Sequence, residues 1–170
     1  MGKFNYKFDE NTIKNANELS LRRKFEIALT GAQLIVQDSD NVAVVSSYFY
    51  ELFKMRILAV DILKMDKCEL TLTEDQFDEL DRLDIIGKIN VVRKKKDKSY
   101  LADKAKSIMA DYNEVIAMLD TEIENELRRR NDIITRLYKE VEGNITPEMI
   151  KNISKTMVEV ANSVDEKAGK

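Results

Sequence analysis

Residues 99–142 contain neither glycine nor proline, and this limits the fold more than any other feature of the chain. Leu101, Ala105, Ile108, Tyr112, Val115 and Leu119 step by four and three, the spacing that keeps apolar side chains on one side of an α-helix. Beyond Leu119 the register shifts through Ile123 and Leu127 to Arg130, Ile134, Leu137 and Val141, an added step of four of the kind known as a stutter. Such a helix would run about 60 Å, further than a small core can cover. Glu124 to Asp132 holds Leu127 as its one apolar residue, yet Glu and Arg form helices well, so the helix is expected to continue through it. Gly143-Asn144 supplies a C-cap, and Thr146-Pro147-Glu148 starts a last helix with the apolar face Met149, Ile150, Ile153, Met157, Val160 and Val164.

The rest of the chain reads the same way. One proline and five glycines in 170 residues, with 44% apolar and 35% charged side chains, describe solvated helices rather than a turn-rich β-protein. Ser20 is an N-cap for a helix whose apolar face is read as Leu21, Phe25, Ala28, Leu29, Ala32 and Val36, ending near Gln37. The turn formers Asp38-Ser39-Asp40-Asn41 then join it, as a helical hairpin, to a second helix at about residues 42–65, apolar around most of its circumference. Val42 to Val45 are β-branched enough to be extended instead. Thr73-Glu74-Asp75-Gln76 has the form of a capping box for a third helix carrying Phe77, Leu80, Leu83 and Ile86, with Gly87 ending or weakening it.

The fold class expected is therefore all-α: a helical bundle with one long helix in the C-terminal half, a helical hairpin and a flexible N-terminal arm. The segments are an arm at 1–18, a helical core at 19–92, a basic connection at 93–98, the long and C-terminal helices at 99–165, and a tail at 166–170. In the arm, Phe4, Tyr6 and Phe8 alternate as a short strand would. They could fold back on the core, add to a neighbouring subunit, or stay disordered.

Chemistry is hard to place on this chain. Histidine is absent, which removes the commonest general base near neutral pH and the commonest transition-metal ligand. The glycines, at 2, 31, 87, 143 and 169, build no phosphate loop. Cys68 is alone and lacks a base partner in sequence, so it is read as structural. No catalytic residue, cofactor, metal or small-molecule substrate is expected, and no enzyme. The most apolar stretch, residues 42–63, carries Glu51, Lys54, Arg56 and Asp61, each costly in hydrocarbon, so it is read as a core helix and not a membrane span. With neither a signal peptide nor a disulfide pattern, the location expected is the cytoplasm.

A net charge of -3 from 28 basic and 31 acidic residues gives no whole-molecule field for DNA or anionic lipid. The local candidate for phosphate contact is the run containing Arg93, Lys94, Lys95 and Lys96, and a small regulatory or DNA-associated protein is the alternative reading it supports. Arg128-Arg129-Arg130 follows Glu122, Glu124 and Glu126, which oppose a nucleic-acid backbone. Protein contact is the leading reading, through Phe4, Tyr6 and Phe8 of the arm, Ile133, Ile134, Leu137 and Val141 of the long helix, and Met149 and Met157 of the last one.

The order of elements resembles that of small helical proteins encoded among the virion-structure genes of tailed bacteriophages. The likeness lies in Leu21-Arg22-Arg23-Lys24-Phe25-Glu26-Ile27-Ala28, a short polar break, the aromatic-rich stretch from Tyr48 to Leu63, a short acidic helix at 74–86, and Asp111-Tyr112-Asn113-Glu114 on the long helix. It spans residues 20 to about 138. What it implies is a structural or assembly subunit in a head, neck or tail, partnered by copies of itself and other structural proteins and found in the host cytoplasm or the virion. It brings no catalytic residues with it.

Overall fold

A computed structural model describes residues 4–40, 42–94, 100–144, 146 and 149. The chain divides into two compact units, Met1–Arg129 and Arg130–Lys170. The elements are α1 (Glu10–Lys14), α2 (Leu21–Ile35), β1 (Val36–Ser39), β2 (Val42–Val45), α3 (Ser47–Arg56) with a π-helical continuation (Ile57–Ile62), α4 (Glu74–Arg82), α5 (Ile85–Arg93) and α6 (Tyr100–Asn144). The fold is mostly helical but not purely so.

The N-caps at Ser20 and Thr73 are made, whereas α6 runs through Gly143 to Asn144 with no glycine at positive φ among the described residues, so Gly143-Asn144 does not form the C-cap expected. Ser20 Oγ accepts from the Arg23 N–H at 3.2 Å. Thr73 Oγ1 accepts from the Gln76 N–H at 3.3 Å while Gln76 Oε1 accepts from the Thr73 N–H at 2.9 Å, closing the box in both directions. The long helix runs unbroken through Glu124 to Asp132. Ala105, Ile108, Tyr112, Val115, Leu119 and Ile123 are buried along it, whereas Leu101 is half-buried and Ala102 takes the inner position.

Four further expectations are corrected. The connection after α2 is a β-hairpin, not the turn of a helical hairpin: β1 and β2 pair antiparallel with Val36 opposite Val45 and Ser39 opposite Val42. Four β-branched valines flank a short turn, and Asp40 adopts φ 46°, which an aspartate tolerates better than most residues. The second helix consequently starts at Ser47 rather than 42. It ends in a widened turn, with the Leu63 N–H donating to Leu58 O at 2.9 Å, five residues back.

The third helix stops at Arg82, and a separate helix, α5, fills residues the sequence reading left unassigned before the basic run. Asp84 caps it by accepting from the Gly87 N–H at 3.2 Å. A Cβ at position 87 would stand 2.1 Å from Asp84 Oδ2, so Gly87 opens a helix here rather than ending one.

The N-terminal arm, expected to be flexible, is docked on its own unit from residue 4 onward. Asp9 caps α1, Ile13 is buried, and Tyr6 and Phe8 pack against the core. Asn17 anchors it further: its N–H donates to Ile62 O at 2.7 Å and its side chain to Asp61 O at 2.9 Å.

The apolar face of α2 also differs from the one expected. Ile27, Ala28, Gly31, Ala32 and Ile35 face inward, while Leu21, Phe25 and Leu29 are 67%, 50% and 39% exposed. Gly31 explains the choice, since a Cβ there would lie 2.3 Å from the Phe53 ring and 2.8 Å from Leu119 Cδ1. The small residues let α2 approach closely, and the bulkier stripe is turned aside.

Candidate functional site

Two buried charge clusters sit in the first unit. Lys24 Nζ lies 2.6 Å from Asp111 Oδ1 and 2.6 Å from Glu114 Oε2, while Asp111 Oδ2 accepts from the Leu19 N–H at 3.1 Å. The hydrogen bond to Asp111, then that to Glu114, raises the Lys24 pKa above the usual lysine value. This joins the two polar motifs of the sequence resemblance, the Arg/Lys-led start of α2 and Asp-Tyr-Asn-Glu on α6. In the second cluster Asp61, its side chain 4% exposed, takes Arg56 Nη1 at 2.7 Å and Arg23 Nη2 at 3.1 Å. Burial raises the Asp61 pKa, and the two guanidinium groups oppose that rise.

The π-helical turn accounts for the second cluster. Residues five apart stand about 140° apart around an α-helix, whereas a widened turn returns them to the same side. Arg56 and Asp61 are so placed, and Arg56 Nη2 also donates to Glu69 O at 2.7 Å. Beside this cluster lies a hollow of about 450 Å³ lined by Asn17, Glu18, Leu19, Ser20, Arg23, Val60 and Asp61. Its polar side chains are engaged: Asn17 with Asp61 O, Glu18 with Lys104 at 2.9 Å, Ser20 as a cap, and Arg23 with Asp61. These groups hold elements together, and none is poised as a nucleophile beside a base. Among the described residues, no group of three or more His, Cys, Asp or Glu is placed to hold a metal ion, and no helix is long and apolar enough to cross a membrane.

The residues singled out for protein contact fall into two groups. Those of the arm are largely taken up by their own unit. Phe4, 40% exposed, stacks on Tyr6 with ring centroids 5.8 Å apart; Tyr6 donates its hydroxyl to Asp66 and its N–H to Glu79 Oε1 at 3.3 Å. In the second unit Ile133 is 45% exposed, Leu137 55% and Val141 55%, with Ile134 half-buried and Met149 also well exposed. Met157 lies outside the described residues. Tyr138, which the sequence reading passed over, is 50% exposed on the same stretch.

Of the basic run, Arg93 closes the last turn of α5 and Lys94 follows as its C-cap, where cations complement the negative end of a helix. Lys95 and Lys96 lie outside the described residues.

The sequence reading also missed an apolar groove between α3 and α4. It has a volume of about 530 Å³ and is lined by Ser47, Tyr48, Glu51, Leu52, Glu74, Phe77 and Asp78. Tyr48 crosses it to donate its hydroxyl to Glu74 Oε1 at 3.0 Å, an interaction that raises the tyrosine pKa. The signal in the sequence was the coincidence of an aromatic pair, Tyr48 and Phe77, with the acids of the third helix, and it gains meaning only once the two helices are seen side by side.

Compared with protein-family models, with curated proteins and with solved structures, the chain matches none of them.

Proposed function

We propose that this chain is a non-enzymatic assembly protein of the kind that builds the virion of a tailed bacteriophage, acting as a homo-oligomer that also contacts other structural proteins. One observation carries the reading: Ile133, Leu137, Tyr138 and Val141, large apolar side chains within three turns of α6, are each about half exposed. Scattered exposed leucines are ordinary on a protein surface, but a contiguous stripe of this kind marks a contact face. The bacteriophage context rests on the order of elements and the sequence stretches quoted for the resemblance. The charge clusters support a structural role, because their ion pairs tie α2 to α6 and to the π-helical turn within the first unit.

The test is Ile134→Asp with Leu137→Asp in the full chain. Light scattering should show the wild type as an oligomer and the double variant as a monomer, with the thermal transition of the first unit retained. A wild type that stays monomeric at high concentration overturns the reading.

A further inference from the structure

We infer that the groove between α3 and α4 receives the end of α6 from a second copy of this chain, so that copies join head to tail; this rests on the assembly reading above and specifies its contact. The groove has an apolar floor, with Leu52 buried and Phe77 half-buried, and the half-exposed Tyr48 reaches from α3 to Glu74 on α4. Its rim is acidic. Glu74 and Asp78 line it together with Glu51, which Lys54 pairs at 3.1 Å, and α4 as a whole carries Glu74, Asp75, Asp78, Glu79 and Asp81 against Arg82. An occupant must therefore be apolar on one side and cationic beside it.

The chain carries such a segment. Residues 126–141 hold Arg128, Arg129, Arg130, Arg136 and Lys139 against Glu126, Asp132 and Glu140, with Arg129 already paired to Glu126 at 2.7 Å, which still leaves the opposite sign to α4. Ile133, Leu137 and Val141 form a stripe at steps of four, about 12 Å long at the helical rise, and Arg130 and Arg136 stand within or beside that stripe in the helical phase. A helix laid in a groove by anchors at such spacing is a recurrent recognition mode, and opposed charge sets its direction and partner. The exposed stripe of α2 is a poorer complement, since Arg22 and Glu26 beside it pair with each other at 2.9 Å and leave it without a net sign.

Donor and acceptor are different patches, so the contact is heterologous. Copies then form a ring if the rotation closes, and an open chain if it does not. This makes the inference testable by mixing. The acceptor variant is Glu74→Lys with Asp78→Lys, and the donor variant is Arg130→Glu with Arg136→Glu, both in the full chain and followed by sedimentation velocity. Each variant alone is expected to associate at least about tenfold more weakly than the wild type. An equimolar mixture should reassociate with the two variants alternating, because the intact groove meets the intact helix and the reversed groove meets the reversed helix, each with opposite charge.

If both variants are monomeric and their mixture stays monomeric, groove and helix end do not meet and the inference is overturned. If the acceptor variant associates like the wild type, the groove is not the seat, and the inference falls while the assembly reading stands. A monomeric wild type overturns both. Circular dichroism melting checks that α4 survives, and if Glu74→Lys weakens it, Asp78→Lys alone carries the same comparison with a smaller loss.

Discussion

Val115 and Ile133, Leu119 and Leu137, Ile123 and Val141 form three pairs on α6, each separated by eighteen residues, which is about five helical turns and returns a side chain to the same face. The first member of each pair is 0%, 0% and 6% exposed; the second is 45%, 55% and 55%. The residue types are nearly the same and the helix is unbroken, so helix propensity does not distinguish the two stretches. Cover does. In the first unit Gly31 of α2 sits where a Cβ would stand 2.8 Å from Leu119 Cδ1, and Lys24 fastens to Asp111 and Glu114. In the second unit the stripe is presented outward.

Breaking the cover should therefore be costly in one stretch and cheap in the other. The largest effect is expected from Asp61→Ala, which strands the Arg56 guanidinium inside the first unit and should lower its unfolding free energy by about 3–5 kcal/mol in a urea titration. Replacing both Arg56 and Asp61 by apolar residues of similar volume should recover much of that loss. Next is Leu119→Ala, at about 2–5 kcal/mol, for a side chain with no exposure at all. Gly31→Ala pushes a methyl group against Phe53 and Leu119 and should cost about 1–3 kcal/mol by the same measurement.

A smaller and reversible effect is expected from alkali. Tyr50, which donates to Asp120 at 2.7 Å, has its pKa pushed up to about 12, first by burial and then by that hydrogen bond. Between its ordinary value of 10.0 and about 12 the unfolded tyrosine ionises while the folded one keeps its proton, so stability falls as pH rises through that window. Lys24 acts in the same direction, because the stabilisation from its two carboxylates is complete below 10.5 and is lost as pH rises through its higher folded value. The melting temperature should decline across this range, and more gently in Tyr50→Phe. The smallest effect is assigned to Leu137→Ala, expected to change the first unit's stability by less than about 0.5 kcal/mol. Equal losses at Leu119 and Leu137 would show that the two stretches are covered alike and would remove the contrast.

Much of this was legible in the chain. Ser20, Thr73 with Gln76, and the run without glycine or proline set three helix starts and the whole of α6, because caps and breakers act locally. The hairpin was half-visible: Val42 to Val45 read as extended, but Val36-Gln37-Asp38-Ser39 read as the end of a helix until its partner strand is opposite it. The inner face of α2 was misjudged because size was weighed above fit. Leu21, Phe25 and Leu29 are the bulkier stripe, yet the alanines and Gly31 allow the closer helix contact. The π-helical turn left no periodic trace at all, since the residues around it are apolar on every side and the buried Arg56–Asp61 pair is two charges five apart. Of the candidate site, Ile133, Leu137 and Val141 were singled out from helix length as positions that must pack on the last helix or on another chain, whereas the α3–α4 groove needs two elements that no local pattern connects.

The docked arm has a consequence for how the protein is made. Residues 6–19 find partners at Asp61, Ile62, Asp66, Glu79, Lys104 and Asp111, all further along the chain. A ribosome adding about 5–20 residues per second needs about 5–20 s to pass from Leu19 to Asp111. Phe4, Tyr6, Phe8 and Ile13 are therefore made before these partners, and the arm is secured only as residues 44 to 92 positions further along follow it.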